Sequence, residues 1–319
     1  MGASTALILT VCVLLLGVSM AVGALDEAQC APTDDVMLKR VLDDELNSHV
    51  HELAELSNSE EMMERFFLSP AWFDATKLLS KWMTDAGLRT WMDAMGNVHG
   101  RTPPELSDDA PVLMLGSHFD TVRDGGHYDG ALGVMVGIAS AKAALLSLKE
   151  GELLARPLEV VGFGDEEGTR FFSRYLGSRA LAGDVTVDEL HFLKDANGTT
   201  LAEAMEAVGM RTDEETLAAS MITDETLDTY VELHIEQGPV LESMDLPLAV
   251  IKAMVGSINT VFEIGGKQGH AGTSRMDLRQ DSLAGAADAV VFIERFWYDA
   301  TVALSPTCVL CAFLLLHAA

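Results

Sequence analysis

Apolar residues in this chain fall into runs of two kinds, and its most reactive polar residues sit where the short runs stop. Val112 to Leu115 and Leu158 to Phe163 are short, largely apolar runs, too short for helices, that predict strands. Between them, Ala131 to Leu148 is a long stretch of small and apolar residues that predicts a helix. Strand, helix, strand at this spacing predicts a βαβ unit, hence an α/β fold with a parallel-rich sheet whose ligand sites lie beyond the carboxyl ends of its strands. Upstream, apolar positions recur at helical spacing over Leu38 to Leu56 and over Trp72 to Ala86, where Gly87 ends the second helix. Downstream, Tyr230 to Ile235 predicts a third strand with His234 inside it, closing on Glu236-Gln237-Gly238-Pro239. Val261 to Ile264 alternates weakly like a strand ahead of Gly265-Gly266, and Ser282 to Phe296 predicts a last helix.

Composition narrows the partners. A chain of 319 residues, 49% hydrophobic, builds one large or two moderate domains. A formal charge of −28, with only 21 Lys and Arg and no basic cluster among them, argues against nucleic acid. An anionic substrate would have to meet local positive charge, from a metal or a few placed Arg or His residues. The apolar run Ala6 to Val18 followed by Ala21, Val22, Gly23 and Ala24 reads as a secretory signal peptide cut before Leu25, which places the protein in the endoplasmic reticulum or outside the cell. Cys30, Cys308 and Cys311 would then remain, too few for a disulfide framework, and Asn197-Gly198-Thr199 is a glycosylation sequon. Thr301 to Ala319 is apolar but broken by Pro306, short of the about 20 residues a membrane span needs, so no stable span is expected after signal removal.

The strand ends carry metal-ligand residue types in series: His118, Asp129, Glu166 with Glu167, and His234. Asp120, two residues past His118, is placed to accept the second imidazole N–H and fix the ring's tautomer. Asp129, before Gly130, reads either as a cap for the following helix or as a carboxylate able to bridge two cations. Adjacent Glu166 and Glu167 repel each other and call for a cation; one can bind it while the other takes a proton from a bound water. Their order is open on spacing alone. Asp165 reads as part of a solvated acidic turn, and Asp124 and His127, beside Gly125-Gly126, as solvent-facing.

The runs Gly116-Ser117-His118-Phe119-Asp120-Thr121, Gly126-His127-Tyr128-Asp129-Gly130-Ala131-Leu132-Gly133 and Asp165-Glu166-Glu167-Gly168-Thr169-Arg170-Phe171 resemble the M20-type metallo-amidohydrolases of the allantoate and N-carbamoyl-amino-acid branch. Leu176-Gly177-Ser178-Arg179, the run His234 to Glu242 and Gly269-His270-Ala271-Gly272-Thr273 continue the likeness in the same order. The resemblance implies a two-cation site, Mn²⁺ or Zn²⁺, in which His118 and His234 bind the first ion, Asp129 bridges, Glu167 binds the second and Glu166 is the general base. It further implies that Gln237 contacts substrate and that His270 polarises the scissile carbonyl. His270 would act from a smaller α+β dimerisation domain, in a family that forms homodimers. Arg275 and Arg279 are candidates for a substrate carboxylate, with an Arg279–Asp281 pair as the structural alternative.

The expected reaction is hydrolysis of a ureido or carbamoyl C–N bond. The form of the Glu166 motif resembles allantoate deiminases most, with N-carbamoyl-L-amino-acid hydrolases and ureidoglycolate amidohydrolases as alternatives. The expected organisation is a signal peptide at 1–24, part of the catalytic domain at 25–245, a partial dimerisation domain at 246–298 and an apolar tail unlike the family at 299–319. The family pattern continues past this point to a last histidine ligand. A truncated, catalytically inactive fragment is therefore the competing expectation.

Overall fold

The computed structural model describes residues 36–223, 225–251, 257–304 and 311–318. The signal-peptide run and Cys30 and Cys308 lie outside the described residues. The chain divides into two compact units, one ending at Leu248 and the other spanning Ala249–Ala319.

The first unit opens with α1 (Val36–Lys39) and α2 (Leu46–Ala54), joined by a π-helical stretch, Arg40–Glu45, where one uninterrupted helix was expected. Next comes α3 (Pro70–Asp85), which starts as its sequence dictates: Ser69 caps it by accepting the Trp72 N–H, and Pro70 occupies the first turn. Gly87, at φ +89°, follows its end. The hairpin β1 (Arg89–Met92) and β2 (Val98–Arg101) leads to β3 (Val112–His118), α4 (Ala131–Ser147) and β4 (Leu158–Phe163). Four short helices follow, α5 (Leu176–Leu181), α6 (Val187–Phe192), α7 (Leu201–Ala207) and α8 (Glu214–Ala219), before β5 (Leu227–Val231) and α9 (Val240–Ser243).

The five strands form one mixed sheet in the order β1-β2-β4-β3-β5. β3 runs parallel to both β4 and β5, while β1, β2 and β4 pair antiparallel. Every residue of β3 and β4 is buried, so both read as largely apolar runs; Glu159, the charged residue within β4, is paired with His99 and Arg101. Helix α4 is buried through most of its length because Gly133 and Gly137 let it lie close against the sheet; a Cβ on Gly133 would stand 2.7 Å from that of Ser117. The expected third strand is displaced: β5 ends at Val231, so His234 lies three residues beyond the strand rather than within it. β5 is an edge strand with mostly exposed side chains, and its register shifts between Val112 and Leu113 of β3. Its weak alternation does not mark its end.

In the second unit, β6 (Ser257–Ile264) pairs in parallel with β7 (Cys311–Ala318), and α10 (Ser282–Leu304) continues past the expected end at Phe296. The tail thus includes a strand where none was expected. Among the described residues, no helix is long and apolar enough to cross a membrane.

Candidate functional site

His118 is the last residue of β3 and pairs in register with Phe163, the last of β4. Polar loops following β3, β4 and β5 therefore converge at one edge of the sheet, where parallel strands end. Asp129 arrives from the loop before α4, Glu166 and Glu167 from the turn after β4, and His234 from the segment after β5.

The two imidazoles are oriented by backbone carbonyls. His118 Nδ1 lies 3.0 Å from the carbonyl oxygen of Asp120 and His234 Nδ1 2.9 Å from that of Ile235, contacts that place a proton on each Nδ1. Each Nε2 lone pair then points inward. The two Nε2 atoms are 3.3 Å apart, and Asp129 Oδ1 lies 3.7 Å from that of His118 and 3.2 Å from that of His234. Oδ1 is buried and forms no hydrogen bond. With both rings neutral, three electron-rich atoms facing one another are the donor set of a cation site, so the residues present fit a divalent metal. His118 also groups with Glu166 and Glu167, all offering ligand atoms within 4.8 Å of one another. Two ligand sets thus share one histidine.

Without a cation, that crowding falls on the protons. Burial alone would lower His118, but the carboxylates of Asp120 and Asp129 outweigh it and push the ring up to about 11. Asp129 is held far below the usual carboxylate range by the His118 and His234 imidazoles, and His234 is raised chiefly by Asp129. Burial raises Glu166, while His118 pulls the other way; burial and then the Glu166 charge push Glu167 up to about 7.

Asp120 does more than face His118. Its carboxylate is 3.4 Å from Nδ1, but Oδ1 accepts the Glu166 N–H at 3.0 Å and Oδ2 the Glu167 N–H at 3.1 Å. One carboxylate thereby fixes the peptide of both glutamates. Asp129 does not cap α4, because the residue ahead of the helix is Gly130, with no side chain to do so. Asp165 corrects the sequence reading: it is 1% exposed, not solvated, with Oδ2 buried and unbonded, and burial followed by the charge of Asp120 raises it well above an ordinary aspartate. Asp124 and His127 are exposed, as expected.

Gln237 donates through Nε2 to Asp129 Oδ2 at 2.9 Å, from a backbone at φ +56°. His270 belongs to the second unit, where it is exposed and its Nδ1 accepts the Gly272 N–H at 3.0 Å. A neutral ring accepting at Nδ1 carries its proton on Nε2 and can donate there. Arg275 donates to both carboxylate oxygens of Asp277, and Arg279 donates to the Ala271 carbonyl. The expected Arg279–Asp281 pair does not form; Asp281 instead accepts the N–H groups of Leu283 and Ala284 at the head of α10.

Sequence reasoning passed over Arg65. It is 1% exposed, and its guanidinium donates to the carbonyls of Phe119, Leu53 and Leu56. Burial lowers it to about 10 against the raising effect of Asp120. Its backbone N–H also bonds Thr121 Oγ1, so it clamps the segment that follows His118. No periodicity signals such a residue, because its partners are carbonyls distant in sequence.

Comparison with known proteins gives this site a context. The model of peptidase family M20/M25/M40 matches residues 114–303. A protein named allantoate deiminase from Arabidopsis thaliana is 43% identical over 254 residues, 80% of this chain and 48% of that protein. An N-carbamoyl-L-amino acid amidohydrolase from Geobacillus stearothermophilus is 41% identical over 69% of this chain and 52% of its own length. Among solved structures, a hydantoinase/carbamoylase family amidase from Burkholderia ambifaria superposes with a TM-score of 0.64 at 28% identity, over 81% of this chain and 61% of that one. The chain therefore spans about half the length of the curated relatives it matches.

Proposed function

The chain belongs to peptidase family M20/M25/M40, and on that premise we propose that it is a metal-dependent amidohydrolase acting on the ureido C–N bond of allantoate, with release of ammonia. The observation that carries the reading is the convergence of His118 Nε2, His234 Nε2 and Asp129 Oδ1 on one point, beside Glu166 and Glu167. Relatives named allantoate deiminase, at 42–43% identity, favour allantoate over an N-carbamoyl amino acid.

In this reading His118, His234 and Asp129 would hold one divalent ion, and Glu167, in the second ligand set, would help hold another, Mn²⁺ or Zn²⁺. The ions supply positive charge that acidifies water and polarises a carbonyl. Glu166 takes the proton from the attacking water and returns it to the departing nitrogen, so that a C–O bond replaces the C–N bond. Gln237 steadies Asp129 and offers its amide to substrate. Exposed His270, with its proton on Nε2, offers a donor of the kind that an oxygen gaining negative charge requires. Two copies of the chain would pair as a homodimer.

The test is ammonia release by the purified, Mn²⁺-loaded chain from allantoate, beside ureidoglycolate and N-carbamoyl amino acids. Activity greatest on allantoate and lost in Glu166→Gln, with Mn²⁺ affinity retained, is the expected outcome. Turnover that survives Glu166→Gln would remove that residue as the base; preference for an N-carbamoyl amino acid would reassign the substrate.

A further inference from the structure

The turn that bears Glu166 and Glu167 is gripped from behind by buried side chains that no part of the proposed chemistry uses. Gly164, the first residue after β4, has both halves of its peptide engaged. Its N–H donates to Asn97 Oδ1 at 3.1 Å, and its carbonyl accepts from Trp72 Nε1 at 2.7 Å. Asn97 and Trp72 are each 0% exposed. Through Nδ2, Asn97 also donates to the Gly177 carbonyl at 3.0 Å and to Asp93 Oδ2 at 2.7 Å. Gly177 in turn donates its N–H to the Asp165 carbonyl at 3.3 Å. One side chain thus spans both ends of the excursion that carries the two glutamates.

Asn97 is itself held. The β1–β2 turn closes on Asp93, whose Oδ1 accepts the N–H groups of Met95 and Asn97, each at 2.9 Å. The fit leaves no slack: a Cβ on Gly177 would stand 2.3 Å from Asn97 Oδ1, one on Gly96 2.5 Å from Trp72 Cη2, and one on Gly164 2.9 Å from Trp72 Cζ2. Bonds that satisfy a buried peptide from both sides in an apolar surrounding are costly to break, because each released group is left unpaired.

We propose that Asn97, with Trp72, is a positioning residue for the proposed base and metal ligand: it sets the Gly164 peptide and so the place of Glu166 and Glu167. The proposal rests on the reading of those glutamates given above, but part of its test does not. In the full chain, Asn97→Ala and Trp72→Phe each remove one grip. Met83→Ala cuts a buried side chain of the same helix as Trp72 that packs on Gly100, away from Gly164, and serves as the control.

Two quantities are measured: amide hydrogen exchange of the peptide covering 164–170, and Mn²⁺ affinity by titration calorimetry. Both Asn97→Ala and Trp72→Phe are expected to speed exchange in that peptide and to weaken Mn²⁺ binding by about 10- to 100-fold, the usual cost of losing a residue that supports a ligand. Met83→Ala, at a similar loss of thermal stability, should do neither. Wild-type exchange rates and affinity in Asn97→Ala, or equal effects in Met83→Ala, would overturn the proposal. If Asn97→Ala fails to fold, Trp72→Phe decides. A wild-type chain that does not bind Mn²⁺ defeats the metal reading, and the exchange comparison alone then judges the positioning role.

Discussion

Gly130 offers the sharpest test of how the site is assembled. Its backbone, at φ +65° and ψ −52°, makes a γ-turn in which the Ala131 N–H bonds the Asp129 carbonyl at 2.7 Å. An L side chain tolerates that conformation poorly, at a cost of about 1–3 kcal/mol. Space is the second obstacle. A Cβ here would stand 2.4 Å from Cδ2, Cε1 and Nε2 of His118, and the ring cannot retreat freely, being 2% exposed and tied through Nδ1 to the Asp120 carbonyl. Forcing a methyl group into such packing costs about 1–3 kcal/mol more. Gly130→Ala should therefore destabilise the protein by about 2–6 kcal/mol in urea unfolding, and should weaken Mn²⁺ binding about 10-fold or more as Nε2 is pushed off its line to Asp129. Gly126→Ala is the matched control: a Cβ there meets nothing within 4 Å, so its effect should stay within about 0.5 kcal/mol. Equal urea midpoints and equal Mn²⁺ affinities for the two variants would refute the claim that the γ-turn and the His118 contact require glycine.

Arg65→Met should cost about 3–5 kcal/mol in the same unfolding assay, because it leaves the carbonyls of Phe119, Leu53 and Leu56 without their donor; a loss below about 1 kcal/mol would show those carbonyls satisfied by other means. His99 predicts a pH dependence. Buried between Asp93 and Glu159, with Arg101 bound to the far oxygen of Glu159, it would be lowered by burial, yet the two carboxylates raise it to about 9. Because the folded value lies above the unfolded 6.5, the stabilisation is full below pH 6.5 and is lost as pH rises toward 9. Across that window the stability advantage of the wild type over His99→Asn should shrink by roughly 3 kcal/mol, and an advantage that stays constant would show the ring already neutral at pH 6.5.

Local pattern carried far where burial was complete. β3 and β4 are buried on both faces, so each had to be mostly apolar, with Glu159 admitted only because His99 and Arg101 pair it, and the helix between them, nearly as buried, had to be small and apolar. Their ends, and with them His118 and the glutamates, were legible for that reason. β5 is an edge strand with mostly exposed side chains, so its pattern blurred: the strand expected over Tyr230 to Ile235 runs over Leu227–Val231 instead, and His234 lies beyond it. Asp165 was misread because an acidic triplet looks solvated in a string of letters; only the fold puts its middle and last members toward the site and its first into the interior.

The sequence by itself determined the order of the elements, the type of ligand at each strand end and the glycines that let backbone and imidazole approach. Those properties are local: periodicity, side-chain chemistry and allowed φ belong to a few neighbouring residues. Tertiary structure alone decided that two imidazoles and a carboxylate point at one place, that Asp120 holds both glutamate amides, and that Arg65, Trp72 and Asn97 brace the loops around them. Those bonds join side chains to backbone groups 46 to 92 residues away, and a hydrogen bond to a peptide leaves no mark on the identity of the residue that provides it.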